Sequence, residues 1–244
     1  MRNLKFVLLL IGAAAAIAGT NDQKKLKPWE EWSKKDAEAI LNDSPWGQTQ
    51  TETDLSEMFF RPQADPNVAP HAANANRDQQ GATNQATAVK YRIRFLSAKP
   101  VREAFARIII LDHPDSRAQL TANLNDFVNR KFDEWIAVAV TFESRDQRFL
   151  NAAAQAFDSA VAATLKNKTY LQRADGKRIF LEIYQAPSPD GLGAKFIFRR
   201  LVDERPFLNL ESKEVRFVSE VSKNITLNMR FKVADMVYGE QLEY

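Results

Sequence analysis

Trp135-Ile136-Ala137-Val138-Ala139-Val140-Thr141-Phe142 is the stretch on which the fold turns. A nearly continuous apolar run of strand length, rich in β-branched residues, predicts a central strand buried on both faces. On its C-terminal side Ser144 and Gln147 have the spacing of a capping box. Phe149, Ala153, Phe157, Val161 and Leu165 then recur about every four residues, which predicts one amphipathic helix. The rest of the chain reads as strands. Residues 170–173 and 177–184 flank Ala174-Asp175-Gly176, in which Asp-Gly is a hairpin turn. Residues 195–201 form a further strand, and 213–221 and 225–233 are joined by Ser222-Lys223-Asn224.

On the N-terminal side, Ser116 with Gln119 marks a helix start, and Leu120, Leu124, Phe127 and Val128 share one face of a helix that ends near Phe132. Pro100 opens an earlier helix over 100–111. Before it, Val89, Tyr91, Ile93 and Phe95 alternate with Lys90, Arg92 and Arg94, a half-buried strand with its basic residues outward. A weaker strand near 48–55 would pair with it and bring Glu52 and Asp54 to that basic side. Ser33 with Asp36, and Trp32 with Ala37, predict a capped and stapled helix over 34–42, broken by Pro45. These elements define an α+β fold, a mostly antiparallel curved sheet packed against three to four helices.

Residues 1–18 read as a signal peptide. Arg2 and Lys5 precede a run from Phe6 to Ala18 that is shorter than the roughly 20 apolar residues a membrane span needs, and Ala16 and Ala18 are the small residues before a cleavage site. Residues 19–60 form a tryptophan-rich arm. Residues 61–87, with Pro62, Pro66 and Pro70 among Asn, Gln and Ala, lack the apolar residues that offset ordering entropy and read as a disordered loop. Residues 88–244 make the α+β domain, with no transmembrane span after signal cleavage.

Lys and Arg number 34 against 31 Asp and Glu, and loss of Arg2 and Lys5 with the signal leaves 32 against 31. So small an excess gives no global support for nucleic-acid binding. The chain has no cysteine, which removes disulfides, thiol nucleophiles and thiolate metal sites together. With two histidines remaining, zinc and copper sites are disfavoured, and neither cofactor nor metal is expected.

His71 lies in the loop, where nothing holds it. His113 sits in Asp112-His113-Pro114-Asp115-Ser116, a base between two carboxylates and a hydroxyl, the residue types of a hydrolytic site. A turn with Ser116 as helix cap explains the same residues. Asp190-Gly191-Leu192-Gly193-Ala194-Lys195 contains the glycines and lysine of a phosphate loop, but a strand follows it, so it reads as a hairpin loop. Glu30 with Glu31, and Asp203 with Glu204, are carboxylate pairs that read as solvated surface. Trp29, Trp32 and Trp46 either fasten the arm to the domain or meet a partner. Arg92 and Arg94, with Lys90, Arg199, Arg200, Arg230 and Lys232, offer a basic strand face for an anionic partner or simply protect sheet edges.

Two stretches carry a family resemblance: Trp29-Glu30-Glu31-Trp32-Ser33-Lys34-Lys35-Asp36, continuing through Ile40 to Trp46, and Tyr91-Arg92-Ile93-Arg94-Phe95-Leu96-Ser97-Ala98-Lys99-Pro100-Val101-Arg102-Glu103-Ala104. They resemble an uncharacterised family of exported bacterial proteins with no assigned activity. The resemblance implies export, periplasmic or secreted, and brings no catalytic residue with it.

The sequence therefore leads to a non-enzymatic exported protein that binds an envelope protein or a small apolar or anionic ligand. Its candidate partner-binding residues are Trp29, Trp32, Trp46, Arg92 and Arg94, with no catalytic residue assigned. The alternatives are a hydrolase using His113 with Asp112 or Asp115, and a structural accessory of an envelope assembly.

Overall fold

The computed structural model describes residues 27–54 and 87–244. The expected signal peptide and all but Thr87 of the expected loop lie outside the described residues. Thr87 is instead the first residue of a strand.

Eight strands form one sheet: β1 (Gly47–Asp54), β2 (Thr87–Phe95), β3 (Trp135–Ser144), β4 (Thr169–Arg173), β5 (Arg178–Gln185), β6 (Ala194–Arg199), β9 (Glu214–Ser222) and β10 (Ile225–Lys232). Their order is β1-β2-β3-β6-β5-β4-β9-β10, with every neighbouring pair antiparallel. Two ribbons stand apart from it. One is β7 (Leu201–Val202) with β8 (Arg205–Pro206), and the other is β11 (Val237–Tyr238) with β12 (Gln241–Leu242). The sheet curls until its edges meet, as a nearly closed barrel. At the seam the Gln50 side chain takes the place of a ladder bond, its Nε2 donating to the Thr226 carbonyl (2.8 Å) and its Oε1 accepting from the Asn228 amide (2.8 Å). Joining the two edges in this way leaves less unpaired backbone exposed to other chains.

The interior is filled by aromatic rings from strands that are not neighbours. Phe95 of β2 meets Phe231 of β10 edge to face at 4.9 Å, and Phe196 of β6 meets Phe217 of β9 at 5.4 Å. Such edge-on contacts across the curl are the favoured geometry for packed rings. As its apolar run predicts, β3 is buried on both faces from Ile136 to Val140.

Five α-helices occur among the described residues: α1 (Lys34–Asn42), α2 (Lys99–Asp112), α3 (Arg117–Asn129), α4 (Gln147–Ser159) and α5 (Ala162–Leu165). Helix α1 packs on α2 and against β1 and β2, and α3 packs on α2. Ser33 and Asp36 form the expected capping box of α1. The fifth helix arises because the segment over 147–165 breaks at Ala160, which is extended. Ser159 Oγ donates to the Gln155 carbonyl, a side-chain bond of the kind that competes with helix backbone. The break leaves Val161 in solvent and Leu165 buried. The caps also differ from expectation. Asp146 caps α4 by accepting from the Arg148 amide, while Ser144 Oγ bonds the Ala88 carbonyl, and Ser116 makes no side-chain cap on α3.

Pairing of β1 with β2 agrees with the expected hairpin, but its register sets Glu52 opposite Val89 and Asp54 opposite Thr87. Threonines Thr49 and Thr51 stand opposite Arg92 and Lys90 instead. The acid that meets the basic side comes from β3, where Glu143 pairs with Arg92 at 2.7 Å.

Candidate functional site

Trp29, Trp32 and Trp46 are folded against the chain's own body, Trp32 with 4% exposure. Trp32 Nε1 donates to the Lys27 carbonyl (2.9 Å), and its own carbonyl accepts from Arg107 Nε. Trp46 Nε1 donates to the Glu243 carbonyl (2.9 Å) and its ring stands edge-on to Tyr238. The indole N–H groups of Trp32 and Trp46 are thus satisfied by backbone, the usual condition for burying tryptophan.

Arg94 corrects the expected outward basic face. It is buried, because α1 and α2 cover this part of the sheet. Its guanidinium donates to the Leu41 carbonyl (2.8 Å), Asn42 Oδ1 (2.9 Å) and Thr141 Oγ1 (2.9 Å) and lies 5.3 Å from the Phe105 ring. Burial pulls its pKa down to about 10, which leaves it charged at neutral pH. The remaining cations of the expected face are spread over β2, β6 and β10. Arg199 and Arg230 approach Glu182 and Glu214 of neighbouring strands at 3.6 and 3.7 Å.

The hydrolytic candidates are held by other groups. Asp112 pairs with Lys34 at 2.8 Å, and His113 Nδ1 lies 3.0 Å from the Ile109 carbonyl, one helical turn back. Among the described residues no hydrogen bond or ion pair joins His113 to Asp112 or Asp115. The glycine-lysine loop connects β5 to β6. Asp190 accepts from the Leu192 amide and pairs with Lys195 at 2.7 Å, which holds its carboxyl below the usual range. Asp203 and Glu204 form the tip of the β7–β8 hairpin, both with positive φ. No group of three metal-ligating side chains is found among the described residues.

Among the buried polar groups that went unrecognised in the sequence are Arg102 and Glu103. Arg102 donates to four backbone carbonyls, those of Leu96, Ser97, Val128 and Arg130, and so ties the start of α2 to the end of α3. Glu103 accepts from the Tyr238 hydroxyl at 2.5 Å, with Lys99 Nζ 3.8 Å away. Burial is the leading cause of its raised pKa. Both residues stand on α2, where their spacing fits solvent exposure as readily as burial.

Outside these clusters a groove of about 700 Å³ lies beside the β7–β8 hairpin. Its floor is Leu208 and Tyr244, both buried, with Leu242 beside them. Arg200 lies 3.8 Å over the Tyr244 ring and donates to the Tyr244 carbonyl (2.7 Å), while the Tyr244 hydroxyl donates to the Leu208 carbonyl (3.0 Å). Pro206, Leu210 and Arg205 form the exposed rim. Leu210 is 62% exposed, and Leu201 and Val202 on the adjoining ribbon are 45% and 40% exposed. Arg205 has no ion pair among the described residues. Sequence reading placed no site here, although Leu208 and Leu210 flank Asn209 in a segment assigned to neither strand nor helix.

No family model matches the chain, and neither a curated protein nor a solved structure matches it. Its functional reading therefore stands on the geometry. No helix among the described residues is long and apolar enough to cross a membrane.

Proposed function

We propose that this is a non-enzymatic, exported binding protein whose groove beside the β7–β8 hairpin takes a segment of a partner protein carrying an apolar side chain next to a carboxylate. The observation that carries the reading is exposed Leu210 on a groove with a buried apolar floor, with exposed Leu201 and Val202 paired to its lining residues Pro206 and Arg205 on the adjoining ribbon. Exposed apolar clusters of this kind cost solubility and commonly mark interaction sites. Arg205 supplies a cation for the carboxylate, and the backbone of the tied segment Leu208–Tyr244 gives the groove a fixed wall. The aromatic filling of the barrel favours a site on its outside over one held within its curve. Export rests on the layout of residues 1–18, and the protein recovered from the export compartment should begin at Gly19.

A photo-crosslinking residue at position Asn209 tests the site in the cells that export the protein. A discrete adduct should form there and disappear when Leu210→Asp is added, while the same probe at Thr226, on the polar outer side of β10, should give none. Equal adducts from both positions, or none from 209, would remove the groove from consideration.

A further inference from the structure

A second concave site lies elsewhere on the molecule. Helices α2 and α3 and the 3-10 turn Trp29–Glu31 enclose a groove of about 450 Å³, lined by Glu30, Arg107, Ile110, Arg117, Ala118 and Thr121. Arg107 reaches it from α2 and is only 8% exposed. Its Nε is held by the Trp32 carbonyl, which fixes the guanidinium plane. Its two terminal nitrogens have no acceptor among the described residues and are not sealed from solvent, so they stay available in the groove that Arg107 lines. Arg117, at the first position of α3, likewise has no ion pair among the described residues. Here two guanidinium groups share one groove, where burial first and then the charge of Arg117 lower the pKa of Arg107.

The surroundings fit an anion at this point. The first turn of α3 forms part of the wall, and Ser116 leaves its amides without a side-chain cap. Thr121 donates its hydroxyl proton to the Arg117 carbonyl, so the donors to an anion are the guanidinium groups and not this hydroxyl. Ile110, buried beside Arg107, and Ala118 supply an apolar wall next to the cations. Glu30 is the one acid lining the groove, so its wall carries two cations against one anion, a net +1. We propose that this groove binds a small oxyanion, a carboxylate or phosphate group with a short apolar substituent, between the terminal nitrogens of Arg107 and the guanidinium of Arg117. Paired guanidinium donors suit planar or tetrahedral oxyanions because they offer parallel N–H bonds. The site is independent of the β7–β8 groove, with which it shares no residue.

Titration of the protein with sodium phosphate, and separately with butyl phosphate and butyrate, against sodium chloride at constant ionic strength tests this by amide chemical shifts. Saturable shifts should appear at Arg117, Ala118 and Thr121 with all three oxyanions, and the butyl compounds should bind more tightly than phosphate if Ile110 and Ala118 hold the substituent. Arg117→Gln removes a cation on an exposed position without touching the bond from Arg107 to Trp32, and should weaken binding about tenfold. Glu30→Gln should strengthen it by about threefold, since it removes the one opposing charge. Non-saturable shifts, shifts equal to those with chloride, or affinity unchanged in both variants would overturn the proposal. Saturable binding that centres on other residues would do so as well.

Discussion

Glu103 is a carboxylate enclosed between Tyr238, Lys99 and the N-terminal turn, and its burial sets a pH dependence with a definite sign. Its folded pKa is raised above the ordinary 4.5 because burial outweighs the hydrogen bond from Tyr238 and the charge of Lys99. The stability it lends is therefore complete below its unfolded value and is lost as pH rises through the folded one. Glu103→Gln keeps an acceptor for the Tyr238 hydroxyl but cannot ionise. Denaturant unfolding between about pH 4 and pH 8 should show wild type losing more stability than the variant as pH rises, and parallel curves would contradict this reading. Trp32 poses the matching question for an apolar side chain. It is 4% exposed within its own chain, so Trp32→Ala should destabilise the protein by roughly 3 to 5 kcal/mol. A variant of unchanged thermal stability would mean that the arm docks elsewhere. Burial of Trp32 was legible in the staple and capping pattern around it. Burial of Arg94 was not, because strand alternation gives only which residues share a face, and whether helices cover that face is decided by packing from distant segments.

Among the elements, the long apolar β3 and the 34–42 helix were readable since each carries its own signal: a β-branched run in one, a capping box in the other. The capping of α4 was not, because Ser144, Asp146 and Gln147 offer two compatible caps and only the bond from Ser144 to Ala88 in β2 decides between them. The loop joining β5 to β6 shows how far turn chemistry reaches. Gly191 and Gly193 both have positive φ, at 71° and 83°, but a side chain at Gly193 would lie 2.2 Å from the Val140 carbonyl of β3, while nothing lies within 4 Å at Gly191. Gly191→Ala should cost about 1 to 2 kcal/mol, the left-handed penalty alone. Gly193→Ala should cost clearly more and perturb the pairing of β3 with β6. Equal destabilisation in chemical unfolding would show that β3 does not crowd this turn.

At the level of the molecule, curling the sheet until Gln50 bridges its edges buries Phe95, Phe196, Phe217 and Phe231 from four different strands in one interior. The antiparallel α+β architecture was legible from hairpin signals and helix periods. The seam and the groove were not, since both join segments far apart in sequence: Gln50 with Thr226 and Asn228, and Arg200 and Leu208 with Tyr244. Two exposed apolar surfaces are then candidates for the proposed partner site. One is the groove with Leu210, and the other is the outer side of β4 and β5, where Phe180 and Ile183 are 46% and 42% exposed and Phe180 packs on Tyr170. The groove has the fixed concave shape and the unpaired Arg205 that a partner's carboxylate requires. The most direct test is amide chemical-shift mapping of the labelled protein with the partner recovered by crosslinking from position 209. Shifts concentrated at Arg205 to Glu211 and at Leu242 to Tyr244, and abolished by Leu210→Asp, are the predicted result. Shifts concentrated instead at Tyr170, Phe180 and Ile183, with the groove residues unmoved, would contradict the account.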